Sequence, residues 1–354
     1  MQRMSPVLSH EDGTRPLTLV SVVAPVYNED ALIEEFHRRV CAAMDGLPFE
    51  LVLVDDGSTD GTPLLLDRLA DRDPRVKVVS LSRNFGHQTA LTAGLDHAAG
   101  DAVVMLDADL QDPPELITTM LDHWRAGCDV VYAVRSERVG ESRFKLSTAR
   151  WFYSLFGKLA QVRLSHNSGD FRLLDRRALD ALLAMRERNR FLRGMTVWVG
   201  YTQAAVPYQR DARYAGETKF TVTKMLRFSL DAIFSFSDRP LQLATLLGFM
   251  FSTIAFIAIP VVVALRILGS YLPGFGTITI AVLLLGGIQL IAIGIIGEYV
   301  GRIYDEVKGR PLYLVRARRN MADPDPLVDH ISARVNRGAT QLEAAATDVS
   351  RRPD

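Results

Sequence analysis

The sequence predicts an α/β protein built on a mostly parallel sheet, followed by a C-terminal membrane segment. Three observations lead there. Short apolar runs alternate with amphipathic stretches through the first half of the chain. Polar and acidic residues gather where those apolar runs end. Between positions 241 and 296 the only charged residue is Arg266.

Taken in order, 19–24 reads as a strand and 30–43 as a helix, then 49–54 and 62–70, 76–81 and 87–98, and 102–106 and 114–125. Pro114 suits the first turn of that last helix, and 129–134 completes a fifth strand. Strands separated by single helices pair in parallel and carry helices on both faces. Ligands of such sheets collect beyond the carboxyl ends of the strands. Asn28 and Glu29, Asp55 and Asp56, Asp107 and Asp109, and Arg135 fall there.

A chain of 354 residues can bury a full core and hold a second module. Its 41 Lys and Arg balance 41 Asp and Glu, which gives no nucleic-acid footprint. Cys41 and Cys128 have neither CxxC spacing nor the density of a disulfide framework, so they read as idle thiols in a reducing compartment. The first residues are polar without an apolar core, which describes a disordered leader rather than a secretory signal.

The runs 241–265 and 277–297 each match the roughly 20 residues that cross a hydrocarbon layer. Pro260 in the first is tolerated in a membrane helix. The rival reading, a buried helical hairpin of a soluble protein, suits two runs of this length poorly. Lys224, Arg227 and Arg239 precede the first run; Arg302, Lys308, Arg310, Arg316, Arg318 and Arg319 follow the second. The positive-inside rule then puts both ends and the first domain in the cytoplasm. The aromatic stretch 145–159 reads either as a core helix or as an interfacial one.

Asp107-Ala108-Asp109 ends an apolar strand ahead of Gln111. Two carboxylates there make a hard-oxygen site for Mg2+ or Mn2+ shared with phosphate oxygens. The alternative is a pair of acids capping the next helix. Asp55 and Asp56 lead into Gly57-Ser58-Thr59-Asp60-Gly61, where a carboxylate can hold a base or ribose, or the segment can be a turn and N-cap. No GxGxxG follows a strand and no GxxxxGK[ST] occurs, so dinucleotide and P-loop readings lack their phosphate cradle.

Pro25-Val26-Tyr27-Asn28-Glu29, Val54-Asp55-Asp56-Gly57-Ser58, Ser82-Arg83-Asn84-Phe85-Gly86-His87 and Leu106-Asp107-Ala108-Asp109-Leu110-Gln111-Asp112-Pro113-Pro114 occur in that order. Gly169-Asp170-Phe171-Arg172, Arg213-Tyr214-Ala215-Gly216-Glu217-Thr218-Lys219 and Gly297-Glu298-Tyr299 follow. Over roughly residues 18–315 this set resembles the family 2 glycosyltransferases of GT-A fold, specifically the polyprenyl-phosphate hexosyltransferases. Dolichol-phosphate mannose synthases and bactoprenol glucosyltransferases are among them.

The resemblance implies roles. Pro25, Tyr27, Glu29 and Asp56 would hold the nucleoside, with Ala108 allowing close approach. Asp107, Asp109 and Gln111 would hold the metal, and Arg213 and Lys219 would clamp the donor diphosphate. Arg135, Arg143 and Ser147 match lipid-phosphate positions, although arginines there also suit a solvated basic face beside anionic lipid. Asp170 is the expected base. Because a phosphate monoester is mostly ionised at neutral pH, Asp170 can equally position the acceptor.

The expected domains are a leader over 1–17, a GT-A catalytic domain over 18–220 and a juxtamembrane segment over 221–240. Spans at 241–265 and 277–297 and a basic tail over 298–354 complete them. The expected reaction is inverting hexosyl transfer from a nucleotide sugar to polyprenyl (undecaprenyl) phosphate at the cytoplasmic leaflet of the inner membrane. UDP-glucose is the favoured donor and GDP-mannose the rival. A processive polysaccharide synthase would carry QxxRW, which is absent. A non-catalytic membrane scaffold would have lost Asp56, Asp107, Asp109 and Asp170, which are present. Similar bacterial enzymes suggest a homotetramer.

Overall fold

The computed structural model describes residues 15–135, 168–209, 239–268 and 274–321. The five expected strands are β1 Val20–Val26, β2 Phe49–Asp55, β3 Val76–Leu81, β4 Ala102–Met105 and β5 Val130–Arg135. The helices between them are α1 Ile33–Ala43, α2 Thr62–Arg72, α3 His87–His97 and α4 Leu116–Arg125. Their bounds lie within about three residues of the expected ones, as helix and strand ends commonly do. Then come β6 Ser168–Asp175, α5 Arg176–Ala184, α6 Leu192–Trp198, β7 Gln203–Tyr208, α7 Arg239–Ile267, α8 Phe275–Val307 and β8 Val315–Arg319.

The strands form one sheet in the order β7-β5-β6-β4-β1-β2-β3-β8. β4, β1, β2 and β3 run parallel, and β5 is parallel to β7. β6 lies antiparallel between β4 and β5, and β8 antiparallel on the edge of β3. The sequence reading contains none of β6, β7 and β8.

Strand periodicity sorts the core into two layers. Val20, Val22 and Ala24 of β1 face α1, α2 and α4, where Phe36, Leu66 and Trp124 are buried. Val23, with Val52 and Val54 of β2, faces α3, α5 and α6 through Leu91, Leu95, Leu179 and Leu192. Gly94 lets α3 lie close on the sheet: a Cβ there would stand 2.3 Å from Cγ1 of Val23.

Arg15, expected within the leader, is instead fixed to the domain. Its guanidinium pairs with Asp129 at 2.8 Å and Asp175 at 3.1 Å and lies against Trp124.

The two expected spans coincide with two long helices, α7 and α8, which lie against each other. By length and composition, one stretch among the described residues is apolar enough to cross a membrane, Leu284–Val307. It starts and ends later than the expected 277–297, and no second stretch among the described residues meets the same test. Beyond α8 the chain returns to the sheet domain. Tyr313 is buried and donates to Oδ2 of Asp96 at 2.7 Å, while Arg186 pairs with the other oxygen at 2.7 Å. Oε1 of Glu306 accepts the backbone N–H of Arg188 at 2.6 Å. These contacts and β8 attach the end of α8 to the sheet.

Candidate active site

Parallel pairing brings the carboxyl ends of β1, β2 and β4 to one edge, with the amino end of antiparallel β6 beside them. Pro25, Tyr27, Glu29, Asp56, Asp107, Ala108, Asp109, Gln111 and Asp170 belong to these strand ends or the loops that continue them, and Arg135 closes β5. Arg143, Ser147, Arg213 and Lys219 lie outside the described residues, as do the stretch 145–159 and the juxtamembrane segment up to residue 238.

Tyr27 is exposed and Pro25 half-buried. Asn28, in the left-handed region at φ 54°, turns the chain so that the N–H of Glu29 reaches Oγ1 of Thr62 at 3.0 Å. Asp56 is buried, and its two oxygens accept the backbone N–H groups of Phe85 (2.7 Å) and Gly86 (3.0 Å). Burial raises its pKa, with those two N–H groups opposing the shift. In this geometry Asp56 fixes the loop that starts α3, which is a structural task beside the expected nucleoside contact. Gly57 permits the close approach: at φ +71° a Cβ would stand 2.5 Å from the carbonyl carbon of Arg83.

That loop delivers His87, which received no role from the sequence. Its Nε2 lies 3.5 Å from Asp107 and 3.4 Å from Asp170. Loss of surrounding water would lower its pKa, but the Asp170 hydrogen bond and the charges of Asp107 and Asp170 outweigh this and lift it to about 9.

Neither acid of the dyad caps α4, whose N-cap is Glu115 with no side-chain cap. Oδ1 of Asp109 accepts the N–H of Gln111 at 3.1 Å, and Leu110 takes φ 57° between them. Burial raises Asp107 to about 6; His87 opposes the shift, while Asp170, Asp109 and Asp112 add to it. Oε1 of Gln111 is buried without a hydrogen-bond partner. Two carboxylates at a strand end, beside an amide oxygen without a hydrogen-bond partner, suit a hard divalent cation.

Asp170 is 6% exposed and held on several sides. Arg193 donates to both of its oxygens, Gln88 donates at 3.3 Å, and Oε1 of Gln88 takes the N–H of Leu192 at 3.0 Å. Burial alone would raise its pKa, but Arg193 and His87 hold the carboxyl well below the usual range. Buried Arg172 donates to the carbonyls of Gly169 and Arg193, fixing β6 to α6. Burial lowers its pKa to about 10. Arg135 donates to the Tyr208 hydroxyl at 3.2 Å, and that hydroxyl donates to Asp112. Burial and the Asp112 carboxylate push Tyr208 up to about 12.

His87, Gln88 and Arg193 are the site residues that the sequence reading missed. His87 stands in a quoted motif, so its position was visible without its purpose. Arg193, on the seven-residue helix α6, carries no local signal. Among the described residues, a different group brings three ligand atoms within 4.8 Å of one another: His37, Cys41 and Asp73. There the guanidinium of Arg75 already occupies Asp73 at 2.7 Å, so the group reads as a hydrogen-bonded surface cluster.

The chain matches the glycosyl transferase family 2 model over residues 21–183. It is 47% identical over 299 residues to the uncharacterized glycosyltransferase YkcC of Bacillus subtilis, covering 84% of this chain and 93% of that one. It is 41% identical over 300 residues to the SfII prophage-derived bactoprenol glucosyl transferase of Shigella flexneri, covering 84% and 97%. Among solved structures, glucosyl-3-phosphoglycerate synthase from Mycobacterium tuberculosis aligns with a TM-score of 0.44 at 24% identity, over 62% of this chain and 78% of that one.

Proposed function

The chain belongs to glycosyl transferase family 2 and is a glycosyltransferase, and on that premise we propose that it transfers a hexosyl group from a nucleotide sugar to a polyprenyl phosphate, with inversion, at a membrane surface. One observation carries the reading. The acidic corner of Asp107 and Asp109, with the unpartnered amide oxygen of Gln111, opens at the strand ends beside the His87, Asp170 and Arg193 cluster. The acceptor class rests on the 41% identical relative named as a bactoprenol glucosyl transferase.

In the proposed reaction an oxygen of the lipid phosphate attacks the anomeric carbon. The bond from that carbon to the diphosphate oxygen breaks, and its electron pair leaves with the nucleoside diphosphate. Asp107, Asp109 and Gln111 would hold Mg2+ or Mn2+, which when bound neutralises charge on the departing diphosphate. Tyr27, Glu29 and Asp56 line the nucleoside end, and Arg135 faces the acceptor phosphate. Arg143 and Ser147 on the acceptor and Arg213 and Lys219 on the donor complete the proposed set. The acceptor arrives ionised, and Asp170 is weakly basic in Arg193's grip, so Asp170 positions groups rather than taking a proton.

A lipid acceptor explains the anchor. Phe249, Phe256, Leu290 and Ile291 on α7 and α8 are largely exposed, a surface suited to lipid. In this reading both helices cross the inner membrane, with the catalytic domain on the cytoplasmic face. UDP-glucose is the proposed donor. The test supplies purified full chain with a divalent cation, short-chain polyprenyl phosphate, and UDP-glucose or GDP-mannose. Lipid labelled from UDP-glucose supports the reading. Equal labelling from both donors defeats the glucose preference, and labelling from neither favours a scaffold.

A further inference from the structure

The post-membrane strand β8 reaches the donor side of the sheet through a single arginine. Val315 pairs with Leu81 and Ala317 with Ser80, so Arg316 is the extra residue of a bulge at that step. Bulges re-aim a side chain, and they recur beside active sites. Here the guanidinium Nη2 of Arg316 stands 3.6 Å from Oδ2 of Asp55, on the next strand but one.

Asp55 needs that charge. It is fully buried at the end of β2, and Oδ2 has no hydrogen-bond partner. A buried carboxylate is costly unless a cation or donors compensate it. At 3.6 Å the contact is an ion pair rather than a hydrogen bond. The other oxygen, Oδ1, accepts the backbone N–H of Ser58 at 2.8 Å. Ser58 Oγ in turn accepts the N–H of Asn28 at 3.0 Å, and Asn28 Oδ1 accepts the N–H of Thr59 at 2.8 Å. This network joins the loops after β1 and β2, which carry Tyr27, Glu29 and Asp56.

We infer that Arg316 is a positioning residue for donor binding: through Asp55 it holds the two loops that form the nucleoside wall. Donor affinity therefore depends on a segment that follows the membrane helix and lies beyond the family match at 21–183. The donor half of this inference rests on the proposed transferase reading; the Arg316–Asp55–Ser58 half does not.

The test compares the full chain with Arg316→Ala and Arg316→Lys in two measurements. Amide exchange in the nucleotide-free chain reads the network itself. Arg316→Ala should speed exchange at Ser58 and Thr59 about tenfold, with the core of β1 unchanged and Arg316→Lys close to native. Steady-state kinetics read the consequence: Arg316→Ala should raise donor KM about tenfold with acceptor KM and kcat little moved, and Arg316→Lys should recover most of it. Unchanged exchange at Ser58, or a uniform rise across the sheet, overturns the inference whether or not transfer is detected. Localised loosening with an unmoved donor KM overturns the donor role. A wild-type chain inactive with every donor counts against the transferase reading, and the exchange result still decides the network.

Discussion

Arg193 grips Asp170 with both arms of its guanidinium, Nε lying 2.7 Å from Oδ1 and Nη2 3.0 Å from Oδ2. A bidentate pair at a buried carboxylate is strong and geometrically fixed. It holds the carboxyl well below its usual range, which is the wrong direction for a general base.

Asp170→Asn therefore keeps kcat within about tenfold of native at saturating acceptor, with the larger loss in KM. Steady-state kinetics at varied acceptor check this. A fall of about a thousandfold in kcat, with native KM, would restore the base role.

Asp107, raised to about 6, sets a dependence on pH and cation. A carboxyl raised in the folded state favours the fold below the ordinary carboxyl range, and that contribution is lost as pH rises through about 6. A bound cation relieves the resulting repulsion and competes with the proton. The rise in Tm produced by Mn2+ should thus grow between about pH 5 and pH 7, and Asp107→Asn should flatten the growth. Melting curves with and without Mn2+ measure it.

His87 titrates higher. Its pKa is raised from 6.5 to about 9, so its contribution is full below the lower value and lost as pH rises through the upper one. The metal-free chain should lose Tm across that window, and His87→Gln should remove this part of the slope. An unchanged slope in the variant would assign it to another group.

Gly57→Ala tests how tightly the Asp56 loop is built. The added Cβ meets the backbone of Arg83 at 2.5 Å in a left-handed conformation. The expected cost is about 1–3 kcal/mol in denaturant unfolding, with weakened donor binding as the Phe85–Gly86 loop shifts.

What the sequence made legible follows from locality. β1 to β5 announce themselves as short apolar runs, and Asp56, Asp107 and Asp109 stand where such runs stop. β6 is inserted antiparallel between β4 and β5, a pairing with no local mark. β8 reads Val-Arg-Ala-Arg-Arg, a basic tail by composition, and becomes a strand because β3 offers it an edge. Arg193 and Arg316 are invisible for a related reason. Each acts on a carboxylate far away in sequence, Asp170 and Asp55, and only the folded sheet brings them together. The capping alternative for the dyad fails only in the fold, where α4 begins at Leu116 behind Glu115.

The proposed reaction is a metal-assisted, two-substrate transfer at Asp107, Asp109 and Gln111. Its most direct test follows nucleoside diphosphate release from UDP-glucose with Mn2+, with and without short-chain polyprenyl phosphate, in the native chain and in Asp107→Asn. Release should require the lipid phosphate and fall at least about 100-fold in the variant. Release that ignores the acceptor, or that proceeds equally without the Asp107 carboxylate, would contradict it.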